Sequence, residues 1–364
     1  MPISSNTTTF LPQHHLESYP KKLIKMAPSA TSPAPEETTT TATILSLRKT
    51  LCSEAQPIGL RFRALFSLKH FACMPSSPLN VPAIEAIAAA FASPSALLKH
   101  ELAYCLGQTR NLESSKFLRG VLENREEDSM VRHEAAEALG ALADRDCLQL
   151  LKERRDDPNE PVEVRETCEL SVENIEWAHS DAGKAEKLRQ SDFASIDPAP
   201  PTAEENSESL SVEKLEETFL NTKVPLFIRY RAMFGLRDLA SPPDLPTAVP
   251  AVLALAKGLH DKSALFRHEI AFVFGQLSHP ASIPALTDSL SNLEEVSMVR
   301  HEAAEALGSL GDEEGVEDTL KKFLNDKDSV VRDSVILALD MAEFEQSGET
   351  EYALIPEKEA VAAA

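Results

Sequence analysis

Apolar residues recur at the spacing of amphipathic helices through most of this chain. Four of them in segment 129–142 follow the i, i+4, i+7, i+11 rhythm of a helix face that packs into a core: Val131, Ala135, Ala138 and Leu142. Patterns of this kind alternate with short breaks over residues 44–177 and again over residues 212–344. The pattern predicts an all-α protein made of many short helices.

The sequence also repeats itself at an offset of 168 residues. SMVRHEAAEALGAL at 129–142 returns as SMVRHEAAEALGSL at 297–310, and LLKHELAYCLGQ at 97–108 returns as LFRHEIAFVFGQ at 265–276. Within each half, related units of two predicted helices follow one another about every 33 residues. A unit of this length cannot bury its apolar face alone, so neighbouring units stack. We therefore predict an α-solenoid of eight HEAT-like helical hairpins in two duplicated four-repeat halves.

Composition sets the boundaries of these halves. Residues 1–43 are rich in Ser, Thr and Pro without hydrophobic periodicity, which predicts a disordered N-terminal extension. The N-terminal half is predicted over 44–178 and the C-terminal half over 211–345. Between them, the acidic and proline-containing segment 179–210 predicts a flexible linker, and 346–364 form a tail.

The net charge of −22 and the pI of about 4.9 limit the partners of the chain. A strongly acidic protein repels phosphate backbones and anionic membranes, so we expect no nucleic acid and no membrane as partner. The charge suits a basic protein or a polyamine-like ligand, and it equally suits a role in solubility alone. Five cysteines without a CxxC pair predict reduced thiols. We expect a monomer in the cytoplasm, with the nucleus as a second, additional compartment.

The candidate chemistry lies in four His-Glu dipeptides, which occupy the two central units of each half: His100-Glu101, His133-Glu134, His268-Glu269 and His301-Glu302. The outer units carry other residues at this position, for example Phe62-Arg63 and Glu166-Thr167. Equivalent edges of successive helices line one surface of a solenoid, so the pairs of one half should lie side by side. If the two halves face each other, all four pairs converge.

Imidazole and carboxylate together form the ligand set of iron, manganese or zinc. The zincin motif HExxH is absent, because Glu137 stands where its second histidine would be. Two histidines and a carboxylate in each half suit non-haem iron, with two ions as the natural stoichiometry. Because ligating histidines must be neutral, we expect iron to be lost as the pH falls toward ~6. The opposing interpretation is that a His-Glu pair is only a solvated polar face that duplication has copied.

Two further groups of residues are predicted to be structural. A basic residue precedes each histidine and recurs in units that lack one, which favours a role in joining neighbouring units: Lys99, Arg132, Arg267 and Arg300. Glycines near the ends of the same helices are predicted to permit close packing or a turn: Gly107, Gly140, Gly275 and Gly308. Tyr104 and Tyr230 are predicted to be packing residues.

With these motifs the chain resembles the deoxyhypusine hydroxylases, HEAT-repeat non-haem di-iron monooxygenases, over about residues 44–344. The doubled SMVRHEAAEALG segment is the most specific part of the resemblance. The resemblance implies an oxidoreductase that hydroxylates the deoxyhypusine residue of translation initiation factor five-A to hypusine. It further implies O2 and an electron donor as co-reactants and two Fe ions (Fe2+) per chain as cofactor.

The resemblance also assigns roles to the eight residues. It implies that iron is held mainly by six of them: His100, His133, Glu134, His268, His301 and Glu302. The remaining two, Glu101 and Glu269, are grouped with the metal ligands and are implied to bind the substrate amines. Two other functions stay open on the residues alone: a non-catalytic HEAT-repeat scaffold that binds proteins, and a metallohydrolase that uses the same ligands.

Overall fold

Short helices follow one another along the part of the chain that the computed structural model describes, residues 37–188, 191–202 and 211–347. The α-helices are α1 (Glu37–Leu51), α2 (Ile58–Cys73), α3 (Asn80–Ala88), α4 (Ala96–Gly107), α5 (Ser115–Glu123), α6 (Ser129–Ala141), α7 (Leu148–Asp156), α8 (Val162–His179), α9 (Asp181–Ala185), α10 (Val212–Leu220), α11 (Leu226–Leu239), α12 (Ala248–Lys257), α13 (Ala264–Leu277), α14 (Ile283–Ser291), α15 (Ser297–Gly308), α16 (Val316–Lys321) and α17 (Ser329–Ser347). Short 3-10 helices lie at Ala89–Ala92, Leu112–Ser114, Arg145–Cys147, Gly258–His260 and Pro280–Ser282. No strand occurs in these described ranges, which confirms the all-α prediction.

The helices that carry the His-Glu pairs form the inner layer of the solenoid. In the N-terminal half α4, α6 and α8 pack one on the next, and in the C-terminal half α13, α15 and α17 do the same. The predicted apolar stripe of α6 is buried, with Val131 and Ala135 fully inaccessible to solvent. Side chains cap the N-terminal ends of three of these helices: the oxygens of Ser95, Asp128 and Ser263 accept hydrogen bonds from free amides of the first turn. The eight-hairpin count stays a prediction.

The basic residue before each histidine joins successive units, as predicted. Arg132 donates two hydrogen bonds to the carbonyl oxygen of Leu122 in its own unit, and its third nitrogen lies 2.6 Å from Glu160 of the next unit. Arg300 repeats this arrangement with Leu290 and Asp326. Acidic residues one unit further along likewise pair with the other two basic side chains, in Lys99–Glu127 and Arg267–Glu295. These buried charge-assisted bonds fix how one unit sits on the next.

Three of the four glycines allow inner helices to approach closely. A Cβ atom on Gly107 would lie 2.8 Å from Ala138, one on Gly140 2.6 Å from Ser171, and one on Gly308 2.8 Å from Ala338. The close-packing prediction is therefore confirmed at these positions. It is wrong at Gly275, where the nearest atom would lie 3.5 Å away and a methyl group would fit.

Gly308→Ala is expected to destabilise the protein. The added methyl group would overlap both backbone and side chain of Ala338. Such overpacking typically costs about 1–3 kcal/mol, of which helix propensity returns at most about 1 kcal/mol. Urea unfolding measures the difference. Gly120→Ala in α5 is the matched control, since no atom lies within 4 Å of its added Cβ, and it should gain about 0.5–1 kcal/mol. Equal midpoints for the two variants would contradict the overlap.

The two halves meet at both of their ends. At one junction α8 contacts α11 and α13, and Ser263 donates a 2.6 Å hydrogen bond to Glu166. At the other junction the last inner helix, α17, contacts α2 and α4, and Arg63 pairs with Asp340 at 3.0 Å. The solenoid therefore closes on itself, and the inner helices of one half face those of the other.

The structure differs from the predicted boundaries in two places. Helix α1 begins at Glu37, inside the segment predicted to be disordered; its early residues Thr41 and Ala42 are exposed, which explains the missing apolar pattern. The segment predicted as a flexible linker contains α9 and a stretch, 191–202, that packs against both halves. Residues 1–36, 189–190, 203–210 and 348–364 lie outside the described residues, with the rest of the predicted extension, linker and tail. None of the described helices is long and apolar enough to span a membrane.

Candidate metal centre

Four imidazole rings from four inner helices meet at the middle of the closed solenoid. Their ring centroids form a quadrilateral, with His100–His133 at 5.4 Å, His133–His268 at 5.3 Å, His268–His301 at 5.5 Å and His301–His100 at 5.3 Å. His100 and His268 are also 5.7 Å apart across the figure. Repeat geometry places neighbours within a half together, and closure of the solenoid adds the other half.

All eight residues of the His-Glu pairs are buried, which the sequence pattern did not predict. His133 has no exposed surface, and the most exposed member, His100, retains 6%. We expected these residues to line one surface of the solenoid. The difference arises because each half covers the surface of the other. The structure thus brings all eight predicted residues into one water-poor centre.

Three groups of donor atoms are close enough together to share a cation, with every atom within 4.8 Å of the others in its group. They are His100 with His133 and His268; His268 with His301 and Glu302; and His133 with Glu134 and Glu137. The first group draws ligands from both halves of the chain. The first group offers three imidazole nitrogens, and the other two combine imidazole nitrogen with carboxylate oxygen. These are the donor atoms typical of iron, manganese or zinc.

Several of these donor atoms lack any hydrogen-bond partner although they are buried: Nε2 of His100, both ring nitrogens of His133, Nε2 of His301 and Oε1 of Glu269. Nε2 of His100 lies 3.3 Å from a Glu134 oxygen, but not in a hydrogen-bonding arrangement. Unpaired buried polar atoms are rare and costly in folded proteins. Divalent cations would satisfy one nitrogen of each of these three rings, so the residues fit a metal.

Two histidines are oriented by hydrogen-bond acceptors that belong to none of the three donor groups. Nδ1 of His268 lies 3.0 Å from the carbonyl oxygen of Met298, and Nδ1 of His301 lies 3.5 Å from both Ser334 and Glu305. Ser334 in turn donates to Glu305 at 2.8 Å. Partners of this kind fix the ring and the tautomer of metal-binding histidines and leave Nε2 for the ion.

Glu137 and Glu305 are site residues that the sequence reasoning missed. Each lies one helical turn after a histidine, in the doubled segment HEAAE, and therefore on the same face of its helix. Retention of both copies in the duplication was the signal that could have identified them. With them the centre holds six carboxyl groups: Glu101, Glu134, Glu137, Glu269, Glu302 and Glu305.

Burial controls the protonation of this centre. It raises the pKa of Glu101 to about 7 and that of Glu134 to about 8, and it raises the pKa of Glu302 well above its ordinary value, with repulsion from neighbouring carboxylates adding to the effect. Burial and the adjacent imidazoles hold the pKa of His133 and His301 well below the ordinary range. Without a cation, burial therefore favours neutral imidazoles and protonated carboxyl groups.

The two halves differ around their equivalent glutamates. The thiol of Cys105 lies 3.7 Å from Glu101 as a donor, whereas Val273 occupies its place beside Glu269. A narrow cavity between α13, α15 and α17 reaches the centre; it is lined by Phe272, Gln276, Glu302, Glu305 and Met341. Tyr104 packs on Phe272, and Tyr230 donates to the carbonyl oxygen of Leu265, so both tyrosines have the packing role predicted for them.

Comparisons with known proteins agree on one family. A family model described as HEAT repeats matches residues 84–172 and 252–340. A deoxyhypusine hydroxylase of Phaeosphaeria nodorum is 68% identical over 319 residues, covering 87% of this chain and 97% of the relative. One of Neurospora crassa is 69% identical over 317 residues, covering 87% and 98%. The solved structure of human deoxyhypusine hydroxylase in complex with glycerol superposes with a TM-score of 0.74 at 42% identity, covering 84% of this chain and 98% of that one.

Proposed function

The chain belongs to the deoxyhypusine hydroxylase family and is a hydroxylating enzyme; we propose that it uses O2, an electron donor and two iron ions to convert deoxyhypusine in translation initiation factor five-A to hypusine. Family membership and the HEAT repeats bear out the resemblance seen in the sequence. They also favour hydroxylation over the two other functions, a non-catalytic scaffold and a metallohydrolase.

The observation that carries the proposal is the meeting of four buried imidazoles and six carboxyl groups with unpaired donor atoms. His100, His133 and Glu134 would hold one ion, and His268, His301 and Glu302 the other. Each set is two histidines and one carboxylate, the arrangement typical of oxygen-activating non-haem iron. When bound, the iron supplies the redox chemistry with O2.

The protein's own contribution is to bind and position a cationic side chain. Deoxyhypusine is a long amine-bearing chain, and carboxylates in a water-poor site attract ammonium groups strongly. Repulsion from Glu305 adds to the raised pKa of Glu101, and repulsion from Glu137 adds to that of Glu269. The centre therefore offers two pairs of acidic groups, each with one member from either half of the chain. The net charge of −22 would also speed the approach of a basic protein substrate.

Product analysis and metal analysis together test the proposal. The purified chain, loaded with Fe2+, is incubated with the deoxyhypusine form of the factor, a reductant and isotopically labelled O2. We expect the substrate to gain one labelled oxygen atom and the chain to contain two irons. Full activity without O2, or with zinc as the bound metal, would overturn the proposal. The monomeric state and the cytoplasmic location, with the nucleus as an additional compartment, remain predictions.

Glu101→Gln and Glu269→Gln are expected to weaken substrate binding more than metal binding. Each change removes a charge while preserving shape, and a hydrogen bond to a charged group contributes about 1.5–3 kcal/mol. The KM should therefore rise by about 10–150-fold, with iron content close to that of the unchanged protein.

Glu134→Gln and Glu302→Gln provide the contrast, because these variants should lose iron. Glu113→Gln, at an exposed position, is the matched control. An iron-free Glu269→Gln protein that binds the factor normally would reverse the two roles.

A further inference from the structure

We call residues 191–202 the strap. This segment starts beside the C-terminal end of helix α11 in the C-terminal half, extends away from the helix and returns to it. Ser191 donates to Asp238 at 3.0 Å, and Ser241 donates to Asp192 at 3.1 Å near the end of that helix. On the return, Arg231 donates to the carbonyl oxygens of residues 200 and 201. The strap is therefore attached to this half at both of its ends.

Arg237 anchors the middle of the strap. This side chain is fully buried and forms an ion pair with Asp197 of the strap at 2.8 Å. It also donates to Gln276 at 2.9 Å, and Phe193 of the strap and Phe234 lie over its guanidinium group at 4.5 and 4.8 Å. A buried arginine held by charge, hydrogen bonds and aromatic rings leaves the strap little freedom.

Two equivalent glutamines, one from each half, hold the tip of the strap. The Gln108 amide forms a closed pair with Ile196, accepting from its N–H at 2.8 Å and donating to its carbonyl oxygen at 3.2 Å. Gln276 donates to Ser195 at 3.0 Å. Both glutamines end the repeated segments LLKHELAYCLGQ and LFRHEIAFVFGQ. The strap tip thus connects the C-terminal ends of α4 and α13.

These two helices carry His100 and His268, about two turns before the glutamines. Tyr104 and Phe272 lie between and pack on each other at 6.0 Å. One of the donor groups, His100 with His133 and His268, uses both helices. Any change in the separation of α4 and α13 therefore changes the distance between donor atoms of one group.

The other junction is built differently. There Arg63, the equivalent of Arg231, pairs directly with Asp340 of α17. In the described ranges no segment outside the helices crosses that junction to join the two halves. Within the described ranges, both junctions have direct contacts between helices, and the junction of α8 with α11 and α13 has the strap in addition.

We propose that the strap is a clamp that holds α4 and α13 at the separation at which the two metal-binding sets, one in each half, lie side by side, with Gln108 and Gln276 as its positioning residues. Neither glutamine is among the predicted ligands or substrate-binding residues. The metal in this statement rests on the proposed function, whereas the clamping of the two halves does not.

Gln108→Ala tests the clamp through two measurements, the distance between the two halves and the affinity for Fe2+. Spin labels replace Arg119 and Asp288, exposed residues of the outer helices α5 and α14, in a background where the exposed Cys52 and Cys73 are serines. In the metal-free protein we expect the distance distribution between the labels to broaden. Titration with Fe2+ alone, under anaerobic conditions, should show at least about tenfold weaker binding, with an unchanged circular dichroism spectrum.

Gln149→Ala is the matched control, because Gln149 is exposed and bonds only within α7, to Glu153. Ile196→Pro removes the N–H group that donates a hydrogen bond to Gln108. The substitution changes no helix, and it should reproduce both effects. If Gln108→Ala changes neither quantity, or if it acts while Ile196→Pro does not, the clamp is rejected. Failure of the intact protein to bind Fe2+ would instead reject the proposed metal centre, and the label distances would still decide the clamp.

Discussion

His301→Ala should reduce hydroxylation by at least about 100-fold and lower the iron content of the protein. The side chain is 1% exposed, its Nε2 has no partner within the described chain, and its Nδ1 is oriented by Ser334 and Glu305. Even the loss of a residue that only orients a metal ligand typically costs 10–100-fold in metal affinity or activity. Loss of the ligand itself should cost more.

The measurement pairs the turnover number with metal analysis of the same sample. His133→Ala should behave alike, since it removes the equivalent ring of the other half. His70→Ala is the control, because this histidine lies exposed on α2, away from the centre. An inactive His301→Ala protein with its full iron content would show that the residue has a role other than ligation.

Removal of the metal is expected to make stability fall as the pH rises from about 6.5 to about 9, the opposite of the metal-bound protein. In the metal-free chain the pKa of Glu101 is raised to about 7 and that of Glu134 to about 8. The folded state then binds protons that the unfolded state has already released, and this stabilisation is lost as the pH rises through the raised values. The loss should amount to several kcal/mol.

The histidines affect stability below this pH range. Their pKa values are lowered in the folded state, so they contribute stability above the ordinary histidine value that is lost only as the pH falls below it. Below that value the loss from the histidines opposes the further gain from the carboxyl groups, so the fall in stability with rising pH should be clearest above about pH 6.5. In the metal-bound protein the cation replaces the protons, so its stability should hold or increase toward pH 8.

Thermal unfolding with and without a chelator measures both curves. We expect the difference in Tm to grow from small near pH 6 to more than about 5 °C near pH 8.5. Glu134→Gln should flatten the metal-free curve, because it removes one of the two groups. Parallel curves would show that the carboxyl groups are ionised in the empty centre. The raised pKa values also change the expectation for iron loss, which the sequence placed at a pH of ~6. Protons should compete with iron at a higher pH, and at the carboxylates rather than at the imidazoles.

The fold could be predicted because its information is local. The apolar stripe, which includes Val131 and Ala135, recurs from unit to unit, and so does the basic residue found before each histidine. Each of these features acts within its own unit or on the neighbouring unit. Stacking of neighbours follows from such contacts alone. The predictions were wrong where the structure does not depend on repeated local contacts. Helix α1 starts in a polar stretch without an apolar face, and the strap is held by single contacts that have no period.

The site was predicted in its members but not in its environment. Four repeated His-Glu pairs identified the imidazoles and four of the carboxyl groups, while Glu137 and Glu305 were missed because they lie outside those pairs, although the doubled segment HEAAE contains them. The distances across the halves and the full burial could not be predicted. They depend on contacts between residues far apart in the chain, such as Arg63 with Asp340 and Gln108 with Ile196.

The sequence by itself determined the repeat, the helical solenoid and the chemical nature of the centre, because helix periodicity and donor type are properties of each unit alone. Only the tertiary structure decided that neighbouring imidazoles of the centre lie within 6 Å, that burial raises the pKa of the carboxyl groups there and that a strap joins the two halves. The physical reason is closure of the solenoid. It excludes water from a surface that each half alone would expose, and exclusion of water sets both the donor geometry and the pKa values.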